Sequence, residues 1–320
     1  MTDFLTGEKL RQELSNPILG QDAIVEGLIF HDTVNIFYSE PGAGKSVIGI
    51  NMLASMSGGW PCFGMFQMKR FARCSYLQLE GSKDEQLGRL KDISAIIPID
   101  YANIAWHTNP LFVENQYTVT QILKELNEFK PEVVFVDSFY CLTNKGLSKE
   151  EGFLPVRQMI KQLKEHTQAA FIIFHHCQKP QYQEGKKIEK DDPFLGSQYM
   201  KAFADTMVYC KRTEENKTLL EFTKPHRNNE GIKSLSLMFD KMNWTVTAIP
   251  DETSKNAIGV IADFLKKEFL TKDHTTAEDI VKATKLTLRH VRRLKNDCHF
   301  NNLCNFLEQS GKQTIWKKKN

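Results

Sequence analysis

The chain has 320 residues, 41% hydrophobic and 25% charged, the balance of a globular protein with room for one large domain and one small one. No apolar run approaches the roughly 20 residues that span a bilayer, and the start, Met1-Thr-Asp-Phe, has no basic region followed by an apolar one, so neither a membrane partner nor a secretory leader is expected. The net charge of +3 is uneven: from Asp251 onward 14 Lys/Arg face 9 Asp/Glu, a net of +5, while the rest nets −2, which points to a polyanion partner for the tail. The seven cysteines are scattered, with no C-x-x-C pair, and reduced thiols in a cytoplasmic protein are expected.

Residues 1 to 33 read as a leading segment, with a short helix over 6–14 and a strand over Ile24–Ile29. Val34-Asn-Ile-Phe-Tyr38 is an apolar run of strand type. Ser39-Glu-Pro-Gly-Ala-Gly-Lys-Ser46 is a glycine-rich turn, and Val47, Ile48, Ile50, Met52 and Leu53 follow at helical spacing. Strand, glycine turn, Lys-Ser and helix in that order form a phosphate-cradling P-loop, with Ser39 where the full pattern has glycine. The glycines let the backbone approach phosphate and turn N–H groups toward it, and the helix adds its positive end. Pro41, Gly42, Ala43, Gly44, Lys45, Ser46 and Val47 are therefore expected against ATP. Lys45 reaches the β- and γ-phosphates, and the Ser46 hydroxyl is a ligand for Mg²⁺.

Further along, Cys74 to Glu80 alternates like a strand and ends on an acid. In an open α/β sheet, ligands sit at the carboxyl ends of the strands, so Glu80 is either a site carboxylate or a helix-entry carboxylate. A helix is predicted over Gln121–Phe129. The run Val133-Val-Phe-Val-Asp137 then has the Walker B pattern, in which a buried strand delivers a carboxylate toward Mg²⁺. Ser138 follows, so the general base must come from elsewhere, and Glu80 is the best candidate. A helix over Phe153–Thr167 precedes a buried strand, Ala169 to His176, whose tip carries His175 and His176. Paired histidines at a strand tip beside a nucleotide suggest a γ-phosphate sensor.

The polar stretch from Cys177 to Met200 is long enough to be a functional loop. Thr206–Cys210 reads as a fifth strand, and Lys217–Lys224 and Ser234–Phe239 as hairpin arms. Alternation of strands and helices over residues 30 to 210 predicts an α/β fold with a mostly parallel sheet. The pattern changes at Ser254. Helices over 257–269 and 276–284, and a basic one over 287–297 with Arg289, Arg292 and Arg293, precede a hairpin over 307–316. That set makes a winged helix-turn-helix, its third helix suited either to a major groove or to a partner protein. Domains are thus expected over 1–250 and 254–320. Cys298, His299 and Cys304 lack a fourth zinc ligand and are read as packing residues.

The ordered set SEPGAGKS, YLQLEGS, VVFVDS, FIIFHHCQK and FTKPHRNNE resembles the RecA-like P-loop core of the RepA/DnaB-type hexameric DNA helicases, nearest to the RepA-like branch, across roughly residues 20 to 248. The resemblance implies that Lys45 and Ser46 bind phosphate and Mg²⁺, Asp137 holds the metal, Glu80 activates water, and His175 or His176 senses the γ-phosphate. It implies basic fingers after the fifth strand that reach a neighbouring subunit's nucleotide. Here these are Lys224 and Arg227, one residue further apart than the family's Lys-x-Arg. It also implies loops lining a channel for single-stranded DNA, here 143–151 and 178–198, with Lys179, Lys186, Lys187 and Lys190 on phosphates and Tyr182 against a base.

The expected function is an ATP-dependent, ring-forming helicase acting in replication of a plasmid, phage or similar element. The alternative is a RecA-like ATPase switch that loads or regulates, binding duplex DNA or a replication protein through the winged helix. A third reading, a winged-helix DNA binder with a degenerate nucleotide fold, is opposed by the intact Lys45, Ser46 and Asp137.

Overall fold

The computed structural model describes residues 7, 10, 11, 22–147, 150–178, 181–183, 186–188, 193–196, 198–227, 232–249, 264, 265, 268, 274–284, 304–308 and 314–318, with backbone alone in 166, 181–183, 186–188, 274, 277, 278, 284, 304–308 and 314–318. Two compact units divide the chain, Met1–Ile249 and Pro250–Asn320.

In the first unit, β1 (Ala23–Val25) and β2 (Ile29–Phe30) form an antiparallel pair where one strand was expected. Gly27, at φ 71°, supplies the left-handed turn that splits them. β3 (Val34–Ser39), α1 (Lys45–Gly58), β4 (Cys74–Gln78), α2 (Lys83–Ser94), β5 (Ile104–His107), α3 (Gln116–Phe129), β6 (Val133–Asp137), α4 (Glu150–Thr167) and β7 (Ala170–His176) follow. Next come β8 (Gln181–Gln183), β9 (Lys186–Ile188), α5 (Gln198–Phe203), β10 (Thr206–Glu214), β11 (Lys217–Lys224), β12 (Ser234–Phe239) and β13 (Val246–Ile249).

The central sheet has nine strands in the order β13-β12-β11-β10-β3-β7-β6-β4-β5. Pairing is parallel from β10 to β5 and antiparallel from β10 outward to β13. This is a RecA-like α/β core. β6 and β7 are apolar runs up to their polar tips, and β3 is apolar but for Asn35 and Ser39, because both faces of these strands are covered. On one face Phe37, Phe135 and Phe174 pack with Ile48, Leu53 and Met56 of α1. On the other, Ile36, Val134 and Ile173 pack with Ile122 of α3 and Val156 and Ile160 of α4. β3 lies between β7 and β10, yet the chain leaving it crosses to β4. That reversal of strand order opens a crevice at the carboxyl end of β3.

The second unit contains β14 (His274–Thr276), α6 (Ala277–Thr284), β15 (Cys304–Glu308) and β16 (Thr314–Lys318), with a three-stranded sheet ordered β14-β16-β15. Thr276 caps α6: its Oγ1 donates to Asp279 Oδ2 at 2.8 Å and accepts from Asp279 N at 3.2 Å. The hairpin arms β15 and β16 pair antiparallel. The expected third helix with Arg289, Arg292 and Arg293, and the pair Cys298-His299, lie outside the described residues.

Candidate active site

β3 delivers the chain to the P-loop, where Gly42 and Gly44 take left-handed conformations, φ 80° and 88°. Gly44 is needed twice over. A Cβ there would lie 2.6 Å from Phe239 Cε1, a ring at the end of β12. The β10–β11 hairpin ties down two loop carbonyls. Arg212 Nη1 donates to Gly42 O at 2.8 Å, and Thr218 Oγ1 donates to Ala43 O at 3.0 Å. The donors left for an anion are then the loop's N–H groups and the amino end of α1.

Lys45 is only 8% exposed, and its Nζ donates to Ser39 Oγ at 2.7 Å. The serine that departs from the P-loop pattern therefore holds the lysine. Burial pushes the Lys45 ammonium below its ordinary range, and the charges of Asp137 and Glu80 act against that shift.

Asp137 ends β6 at 3% exposure, and burial raises its carboxyl above the usual range. Hydrogen bonds from Ser46 and Tyr76 act in the opposite sense, the Tyr76 hydroxyl donating to Oδ2 at 2.8 Å. The Asp137 main-chain oxygen accepts from Leu79 N at 2.6 Å and Glu80 N at 3.1 Å, which carries Glu80 just past the end of β4. The peptide between Asp137 and Ser138 is cis. His176 Nε2 lies 3.2 Å from Glu80 Oε2. That bond first, and one from Ser138 after it, hold the Glu80 carboxyl down at about 2. Ser138 thus donates to the Glu80 carboxylate.

The two histidines have separate places. His176 lines the cavity beside Glu80. His175 is fully buried behind it among Phe139, Phe194 and His176, with Nε2 bonded to Leu195 O and Nδ1 without a partner among the described residues. Burial lowers the His175 imidazole to about 4. Between pH 6.5 and 4 the unfolded chain then takes up a proton that the folded one refuses. Stability from this group is complete above pH 6.5 and declines as pH falls toward 4, by up to about 3 kcal/mol. His31 and His226 are lowered in the same sense, so the contribution is isolated by comparison with His175→Gln, which keeps a donor for Leu195 O. Urea midpoints of the two proteins are expected to converge as pH drops from 7 to 4.5. A constant gap would show that His175 does not titrate in this way.

Lys224 and Arg227 lie away from the P-loop of their own chain. Lys224 pairs with Met207, which pairs with Ile36, three residues before the strand reaches Ser39. The Lys224 ammonium donates to Lys201 O at 2.9 Å and to Ala204 O, capping α5. His226 stacks on Phe30 with centroids 4.4 Å apart, and Arg227 is exposed. Of the residues expected on DNA, Lys186 and Lys187 fall in β9, which pairs with β8, while Lys179 and Lys190 lie outside the described residues.

The cavity over the P-loop has a volume of about 400 Å³ and takes in Pro41 to Val47, Glu80, Asp137 and His176. The rest of its lining was not foreseen: Gln86 and Arg89 on α2, Arg212 on β10, and Phe239 and Trp244 around the β12–β13 turn. The Arg89 guanidinium stands 4.9 Å from the Trp244 ring centre. The i, i+3 spacing of Gln86 and Arg89 put both on one face of α2, but nothing local tied either to a triphosphate or to a tryptophan about 150 residues on. The fold implies ATP and Mg²⁺. The left-handed glycine cradle and an all-oxygen pair, the Ser46 hydroxyl touching the Asp137 carboxylate, fit both.

Among known proteins, the DNA repair protein RadA of Synechocystis is 23% identical over 219 residues, 64% of this chain. The chain covers 39% of that protein's length. A solved structure, the KaiC-like protein PH0186 of Pyrococcus horikoshii OT3, superposes with a TM-score of 0.47 at 12% identity, covering 71% of this chain and 94% of that one. Residues 9–182, from the leading segment through the P-loop, Glu80, Asp137 and both histidines, match the AAA domain family, and the chain belongs to that family of P-loop ATPases.

Proposed function

We propose that this chain is a Mg²⁺-dependent ATPase that assembles into a ring, hexameric in the family it resembles, and moves along single-stranded DNA as a helicase in replication of a plasmid, phage or similar element. The carrying observation is that Lys45, Ser46, Asp137 and Glu80, from three separate elements or their ends, meet in one cavity with His176 on Glu80. Lys45 and the loop N–H groups would hold the triphosphate, and its base would lie against Trp244 and Arg89. Mg²⁺ would be held by Ser46 and Asp137, where it would neutralise charge on the β- and γ-phosphate oxygens. Glu80 would orient a water and accept its proton as the water oxygen bonds to the γ-phosphorus and the bond to the β–γ bridging oxygen breaks.

His176 precedes Cys177 and the 178–198 segment, so a change at the phosphate passes directly into the segment expected on DNA. Arg227 is exposed and far from its own P-loop in register, which supports action on a neighbour's nucleotide. The likeness to a protein named for DNA repair supports a DNA-linked role. Arg289, Arg292 and Arg293 of a winged helix would add duplex DNA or a replication protein as a second partner.

The test is ATP turnover with and without a labelled single strand, together with the mass of the complex by light scattering. Turnover is expected to rise severalfold with DNA, and a ring to form with ATP. Unstimulated turnover with no strand displacement would remove the helicase function, leaving the ATPase switch that loads or regulates.

A further inference from the structure

Helix α1 is buried almost throughout, and its interior carries one amide side chain, Asn51, at 1% exposure. Asparagine is poorly suited to a helix interior because it competes for backbone hydrogen bonds. Here the competition is put to use. Nδ2 donates to Val47 O one turn back at 2.9 Å and to Trp244 O at 2.8 Å, while Oδ1 accepts from Val246 N at 2.9 Å. One side chain thus holds the turn between β12 and β13 from both sides of its last step.

That turn is the aromatic wall of the cavity. Trp244 sits at φ 59°, a conformation that bulky residues rarely adopt, so tertiary contacts and not local preference direct its ring. Within the turn, Met242 N donates to Asp240 Oδ1 at 2.8 Å and Thr245 N to Asn243 Oδ1 at 3.0 Å, which stiffens the loop but does not tie it to anything else. Lys241 of the turn pairs with Glu215 of the β10–β11 hairpin and Arg89 of α2 stands over the Trp244 ring, while Phe239, packed on Gly44, and Asn51 tie the turn directly to the P-loop and its helix. Asn51 lies six residues beyond Lys45, roughly 9 Å further along the same helix.

We infer that Asn51 is a positioning residue for the nucleoside end of the ligand: it registers Trp244 against the helix that carries Lys45 and Ser46, so that base and triphosphate meet groups fixed on one rigid element. The inference rests on the cavity being a nucleotide site, and it adds that the base wall is set by α1 itself.

Two probes separate these claims in the full chain: ATP, and inorganic tripolyphosphate, which has no base. Asn51→Asp keeps the acceptor for Val246 N and loses the donor for Trp244 O, and Asn51→Leu loses both. ATP affinity is expected to fall about fivefold in the first variant and about tenfold or more in the second, with tripolyphosphate affinity changed by less than about twofold. In a Trp244→Ala background, Asn51→Asp is expected to cost no further ATP affinity, because the group it positions is gone. Equal losses for both probes, additive losses in the double variant, or unaltered ATP binding would each overturn the inference. So would a wild-type protein that binds tripolyphosphate as tightly as ATP, although the phosphate site would then stand. If the wild type bound neither, the nucleotide site itself would fall. Should Asn51→Leu fail to fold, Asn51→Asp and the Trp244→Ala background carry the test.

Discussion

Glu80→Gln is expected to lower ATP turnover by about a thousandfold while leaving ATP affinity within about twofold. The carboxylate stands past the end of β4, held by His176 at 3.2 Å and by Ser138, and it shares the cavity with the P-loop. Glutamine keeps the size and a hydrogen-bonding oxygen but cannot take a proton. With the carboxyl held at about 2 by the His176 bond, Glu80 is ionised at any working pH but is a feeble base while that bond lasts. His176→Ala would remove the strongest cause of the depression and let the carboxyl rise toward its ordinary range. Single-turnover hydrolysis beside equilibrium binding of a fluorescent ATP analogue separates the effects. A Glu80→Gln variant that retains a tenth or more of wild-type turnover would remove Glu80 as the base.

Lys45→Met is expected to move function and stability in opposite directions. Turnover should fall by about a hundredfold or more, since the side chain that reaches the phosphates loses its charge. The fold should be stabilised, because burial disfavours the Lys45 ammonium more than Asp137 and Glu80 favour it, and an apolar chain of similar length removes that cost. The hydrogen bond to Ser39 Oγ is lost at the same time, which limits the gain. Urea unfolding and ATP turnover on the same preparations check both halves. A destabilised Lys45→Met protein would mean that the ammonium's neighbours outweigh its desolvation.

Legibility followed how local each signal is. Ser39 to Ser46 carried strand end, turn glycines, lysine and helix start in one stretch, and the structure places all of them together. β6 and β7 were legible because strands covered on both faces are unbroken apolar runs. β5 was not: Ile104-Ala-Trp-His107 is short and half-buried on every residue at the sheet edge, so it has neither a run nor an alternation. β13 was missed for the same reason of length. The strand ending at Glu80 stops at Gln78, because Leu79 and Glu80 turn their N–H groups to Asp137 O. His175 and His176 are adjacent in sequence, and only the pleat, which sends neighbours to opposite faces, put one in the core and one beside Glu80.

By itself, then, the amino-acid order determined where the glycine turn and its lysine would lie, which strand ends would carry acids, and that a parallel sheet would join them. The first two depend on residues within a few positions of one another, and the third on the alternation of such local patterns along the chain. Only the tertiary structure decided that Tyr76 and Ser46 share Asp137, that Arg212 and Thr218 hold the P-loop carbonyls, and that Trp244 lines the same cavity as Lys45. Those contacts join segments up to about 200 residues apart. Their partners are set by strand order and by one buried amide on α1, and no local pattern encodes either.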